Sequence, residues 1–201
     1  MAKQIVFIGG GDSYSGYDDY IKALKNKPLR NPKGEKTPRW TDTFREKLGE
    51  DYDLYMLSMP NKDNAVFQEW SIWFERHFDY FKDDAILVGW SLGGMFLAKY
   101  LLEKGTPFTI EQLFLLAAPC GSFEDDTGND CGSFQFDEAK LPILAKRVKS
   151  VKILHSKDDF VVPYEHALKY KEMLSDAELV TFEDKNHFLV EELPELLDLI
   201  K

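Results

Sequence analysis

Apolar residues along this chain of 201 residues gather into short runs, separated by longer stretches with an amphipathic rhythm. The runs at 5–8, 53–57, 85–88, 113–117, 151–155 and 179–182 are rich in β-branched, aliphatic and aromatic residues and predict strands. Between them the period lengthens. Over about 64–81, Val66, Phe67, Trp70, Trp73, Phe74, His77, Phe78 and Phe81 recur three or four positions apart, which predicts a helix face. That aromatic stripe reads as packing against a sheet, and His77 within it as structural. Helices are also predicted over 95–102, at 163–174 with Pro163 in its first turn, and from Pro194 to about 200. A shorter one is predicted around 137–148. Two stretches, 28–38 and 120–135, lack a period and read as irregular surface excursions. Strands alternating with helices imply an α/β fold, a three-layer α/β/α sandwich with a mostly parallel sheet of about six strands. No repeat or linker interrupts the pattern, so one domain over 1–201 is expected.

The third run leads straight into Gly89-Trp90-Ser91-Leu92-Gly93-Gly94. A strand that turns at once into a helix forces one residue through a crowded conformation. Glycines two positions before and two after that residue remove the side chains that would clash there. Ser91 then stands at the strand's end as a candidate nucleophile, and the Leu92 amide opens the helix as a candidate oxyanion donor. A Gly-x-Ser-x-Gly match alone is weak. A strand before it and a helix after it are what give it weight.

A serine hydroxyl barely ionises at neutral pH and needs a base, and the base needs an orienting acid. Loops that follow parallel strands converge on one sheet edge. His187, in the loop after the last strand, can therefore meet Ser91 there. The acid is expected one strand earlier, in Ser156-Lys157-Asp158-Asp159-Phe160-Val161-Val162-Pro163. The Asp-x-x-Val-Pro spacing favours Asp159, with Asp158 as a loop-bonding alternative. His155 reads as scaffolding for the acid loop, and His166, one turn into a helix, as solvated. A second oxyanion amide is expected from Gly9-Gly10-Gly11, at Gly11 with Gly10 next to it. These glycines do not complete a nucleotide-binding pattern.

Composition narrows the partners. The chain is 44% hydrophobic and 30% charged, with a net charge of −10. Such a surface repels nucleic-acid phosphates and anionic membranes, so neither is an expected partner. No apolar run is long enough to span a membrane, and Met1-Ala2-Lys3-Gln4 leads directly into the first strand, so a cytoplasmic location is expected. Two cysteines, Cys120 and Cys131, are expected to be reduced and structural, and they make a poor metal site; no metal is expected.

Taken together, Phe7-Ile8-Gly9-Gly10-Gly11, Met59-Pro60-Asn61 before a helix carrying Trp70, Gly89-Trp90-Ser91-Leu92-Gly93, Ser156-Lys157-Asp158-Asp159 through Pro163, and His187-Phe188 resemble the α/β-hydrolases. More narrowly, they resemble the small serine hydrolases related to retinoblastoma-binding protein nine and the bacterial YdeN type, over almost the whole length. The resemblance implies a triad at Ser91, Asp159 and His187, action on a small ester or amide, no cofactor, and little or no cap. Trp90 beside the nucleophile resembles carboxylesterases that act on acyl-chain esters. The expected substrate is a small carboxylic ester. A small-amide hydrolase, or a non-catalytic binding protein on the same fold, is the alternative. Phe123 and Phe134, with Phe136, are candidate acyl-contacting residues of a loop over the site. The other possibility is that they tuck back onto the body.

Overall fold

In the computed structural model, which describes every residue except Met1, Arg30, Lys36, Asp126 and Thr127, the six apolar runs form one sheet. Its strands are β1 (Lys3–Ile8), β2 (Tyr52–Leu57), β3 (Ala85–Trp90), β4 (Ile110–Leu116), β5 (Val148–Ser156) and β6 (Glu178–Phe182). All neighbours pair in parallel, in the order β2-β1-β3-β4-β5-β6. Chain order reverses between β1 and β3. A parallel sheet opens a crevice outside the strand ends at such a reversal.

Helices cover both faces. Helix α2 (Trp40–Leu48) and α6 (Pro194–Ile200) bury Trp40, Phe44, Leu196 and Ile200 against one face, with Ile5, Ile86, Phe114 and Leu154. On the other face, α3 (Phe67–Glu75), α4 (Leu92–Glu103) and α5 (Glu165–Met173) pack over Val6, Leu87, Leu113 and Ile153. Burial on both sides explains why β3 reads as an unbroken apolar run. Helix α1 (Tyr17–Asn26) is amphipathic, with Tyr17, Tyr20, Ile21 and Leu24 at helical spacing, yet buries only Ala23.

Two of the expected helices differ. The 64–81 pattern is α-helical only from Phe67 to Glu75 and then tightens to a 3₁₀ turn, Phe78–Tyr80. The segment expected around 137–148 is a 3₁₀ run, Glu138–Lys146, with Pro142 inside it. Proline has no N–H to offer and its ring obstructs the α-helical ladder, so the segment takes the tighter form. Among the described residues, no helix is long and apolar enough to cross a membrane.

Candidate active site

The turn after β3 is one of several strained points among the described residues. Ser91 sits at φ 54°, ψ −126°, backbone that few non-glycine residues adopt. Its amide donates to the Leu116 carbonyl (2.8 Å), and its own carbonyl accepts from Gly94 (2.9 Å), so α4 starts without a connecting residue. A Cβ on Gly93 would collide with the Ile8 and Gly9 carbonyls, so the residue must be glycine for the helix to approach β1. Leu92 is the first residue of α4, and first-turn amides have no partner within their own helix.

Gly10 backs directly onto the serine. A Cβ placed there would lie 3.0 Å from Ser91 Cβ and 3.4 Å from Ser91 Oγ. Gly11, one residue on, presses against the Lys62 carbonyl. The Asp12 amide donates to the same carbonyl (2.8 Å), which ties the glycine loop to the loop after β2.

Across from them, Asp159 and His187 form a buried couple. His187 Nδ1 donates to Asp159 Oδ2 at 2.8 Å, with Oδ1 at 3.1 Å. Oδ1 also accepts from the Val161 and Val162 amides (2.8 and 2.9 Å). The Asp159 side chain is fully enclosed. Burial pushes against its ionisation, but the bonds from His155, His187 and the Val162 amide outweigh burial and hold its carboxyl below the usual range. Asp158 does the other job expected of it: Oδ1 accepts from Ser156 Oγ (2.5 Å) and the Asn186 amide (2.8 Å). The two adjacent aspartates thus bind the ring and the backbone of the same histidine loop.

That loop is also held by two indoles. Trp90 Nε1 donates to the His187 carbonyl (3.1 Å), and Trp40 Nε1 to the Phe188 carbonyl (3.1 Å). Since Trp90 immediately precedes Ser91, the first bond joins the serine turn to the His187 loop. With Nδ1 engaged by Asp159, Nε2 is the His187 nitrogen left for another partner. Trp40 was missed in the sequence, although Trp40, Phe44 and Leu48 recur at helical spacing.

On the β2 side, a groove of about 500 Å³ opens beside Gly10. Phe7, Met56, Met59 and Trp90 line it, with Asn61 and Lys62 also present. Trp90 therefore spends its N–H on the His187 loop and its ring on this wall.

The remaining candidates lie elsewhere. Phe134 is fully buried, edge-on to Phe67 and Trp70 (5.8 and 5.1 Å) and near Phe96. It is a core residue and corrects the expectation that it contacts substrate: burying a phenyl ring in this aromatic cluster is more favourable than leaving it over an open site. Phe123 is half-buried, edge-on to His166 at 5.4 Å. Phe136 packs beside Tyr170 at 6.5 Å. His166 is not solvated. It is buried, and its Nδ1 accepts from the Cys120 amide (3.0 Å). His77 Nδ1 donates to the Trp73 carbonyl (2.7 Å), away from the serine's strand end. Cys120 and Cys131 are unpaired and buried, and burial pushes both thiols up to about 12. Among the described residues, no group of three or more His, Cys, Asp or Glu is arranged to hold a metal ion.

A serine hydrolase family model matches residues 33–195. The curated proteins compared contain no match. Among solved structures, the ydeN gene product from B. subtilis matches with a TM-score of 0.75 at 19% identity, covering 99% of this chain and 97% of that one. A lipase-esterase related protein from Clostridium acetobutylicum matches with a TM-score of 0.64 at 14% identity, covering 98% and 93%. Est1E from Butyrivibrio proteoclasticus matches with a TM-score of 0.62 at 16% identity, covering 100% and 86%. At such identities the structural likenesses establish the fold alone, that of the α/β-hydrolases. The family match establishes more: the chain belongs to the serine hydrolases.

Proposed function

We propose that this serine hydrolase cleaves a small carboxylic ester through an acyl-enzyme on Ser91, with His187 as base and Asp159 as its orienting acid. One observation carries the reading: a buried Asp159–His187 couple is tied through Trp90 to a serine held at φ 54°. Strain of this kind costs on the order of 1–3 kcal/mol and persists where the surroundings enforce it, commonly at functional turns.

In this mechanism Ser91 Oγ attacks the ester carbonyl while His187 Nε2 takes its proton. Asp159 keeps the Nδ1–H tautomer and stabilises the imidazolium. The Leu92 amide and the Gly11 amide, next to the Gly10 position where an added Cβ would meet Ser91, hold the oxyanion. His187 returns the proton to the leaving alcohol, then activates a water that releases the acid and restores Ser91. We place the acyl chain in the groove lined by Met56, Met59 and Trp90, whose 500 Å³ suits a small to medium group. The reading includes a cytoplasmic location, in keeping with the two unpaired thiols.

A panel of p-nitrophenyl esters of increasing acyl length, set against matched p-nitroanilides, tests it. Turnover of the esters well above the anilides is expected. Turnover of the anilides alone would replace the ester assignment, and turnover of neither would remove it.

A further inference from the structure

Asp159 is approached by histidine from two sides. His187 comes from the loop after β6, and His155 comes from β5, four residues before the carboxylate. His155 is 1% exposed. Its Nε2 lies 2.9 Å from the Val162 carbonyl and 3.3 Å from Asp159 Oδ2. Both neighbours can only accept, since a carbonyl oxygen and an ionised carboxylate carry no proton. Nε2 must therefore hold the hydrogen. No step of the ester cleavage proposed above uses this ring.

The two carboxylate oxygens are occupied differently. Oδ1 takes the Val161 and Val162 amides, which orient the group without help from His155, and makes the longer of the two contacts with His187 Nδ1 (3.1 Å). Oδ2 receives the His187 Nδ1–H at 2.8 Å and also faces the His155 N–H. A second donor on one oxygen draws charge from the bond that oxygen makes with the first. Less negative charge then remains to stabilise the His187 imidazolium.

We infer that His155 is a positioning residue for the reacting set: its Nε2–H pins the acid loop at Val162 and tempers the oxygen of Asp159 that faces His187. The inference rests on the reading of Ser91, His187 and Asp159 as that set. Asp158, bonded to Ser156 Oγ and the Asn186 amide, adjoins the pair, and other rings flank it. His155 meets the edge of the Tyr164 ring at 5.9 Å, and His166 is near enough for like charges to repel. The Trp90 ring, 6.0 Å away, flanks His187.

The test compares His155→Phe, which keeps an aromatic ring without the N–H, with His155→Gln, whose amide can donate at similar reach. In His155→Phe the acid limb of the kcat/KM profile moves up by about 0.5–1 pH unit. Turnover well below the limb then falls about 3–10-fold, while the alkaline plateau and KM stay within about twofold. His155→Gln returns the limb to the wild-type position. An unmoved limb, a limb moved down, or an equal loss at all pH values would overturn the inference, since packing alone produces no shift of this sign. Histidine ¹⁵N NMR titration of the wild type and both variants reads the same displacement at His187 without any turnover. A wild type inactive on every ester would therefore end the proposed function while leaving this question decidable. Should His155→Phe not fold, the wild-type spectrum still decides: a bare, unprotonated His155 Nε2 would overturn the inference.

Discussion

The loops after β5 and β6 and the loop after β4 leave the same edge of the sheet, yet they are held by different physics. The first pair is polar and convergent: Asp158, Asp159, Trp40 and Trp90 direct hydrogen bonds at the stretch from Asn186 to Phe188. The loop after β4 combines buried rings with hydrogen bonds that spread over several neighbours instead of converging on one side chain. Phe134 fills the space between α3 and α4, Asn129 Oδ1 accepts from the Ser13 amide (3.2 Å), and Lys99 Nζ bonds the Ser133 and Gln135 carbonyls (2.8 Å each). Convergent polar bonds fix the angle of one imidazole, which is what proton transfer requires. Apolar packing fixes a loop's position and leaves chemistry to others. A substitution in the first region is therefore expected to cost activity, and one in the second to cost stability.

The largest effect is expected at the point both regions surround. Ser91→Ala should lower ester turnover on the order of 10⁴–10⁶-fold with an unchanged circular dichroism spectrum. Retention of more than about a tenth of the wild-type rate would assign the nucleophile elsewhere.

The adjacent aspartates sharpen the contrast within the polar region. Asp159→Asn should lower kcat by roughly 10⁴-fold, because the amide no longer favours the Nδ1–H tautomer. Asp158→Asn leaves that ring contact intact and should cost far less. A larger loss at Asp158, measured by steady-state kinetics, would reverse the two roles.

Phe134→Ala tests the apolar region. Removing a fully buried ring should destabilise the fold by about 3–5 kcal/mol, read from denaturant unfolding, with the ranking of acyl lengths unchanged. A changed acyl ranking at wild-type stability would return this residue to the substrate.

The smallest expected effect comes from His166. Burial disfavours its charged form, so its folded value lies below the unfolded value of about 6.5. The unfolded chain then binds the proton more readily. The stability this neutral ring supports is present above about pH 6.5 and is lost as pH falls through the folded value. His166→Gln should flatten that part of the stability profile, measured by unfolding at pH 5 to 8. A decline equally steep in the variant would place its origin in other groups.

How legible each region was follows from the same contrast. Six strands and the serine turn could be read directly, because a strand buried on both faces and a strand-turn-helix junction leave local patterns. Asp159 was separated from Asp158 by its spacing to Val162 and Pro163, and the structure bonds its carboxylate to the Val161 and Val162 amides. Phe134 was not legible. An apolar ring in a loop reads the same whether it covers a site or fills a core, and only the distant Phe67, Trp70 and Phe96 decide. His166 misled for a related reason, since its burial depends on Cys120, 46 positions away. Helix α1 was missed although Tyr17, Tyr20, Ile21 and Leu24 recur at helical spacing.

Labelling with a fluorophosphonate, followed by peptide mapping, tests the claim that Ser91 is the activated nucleophile most directly. The folded protein should form one adduct, on Ser91. The label should vanish in Ser91→Ala and form far more slowly in His187→Ala. A folded wild type that takes no label, or takes it on another residue, would contradict the assignment.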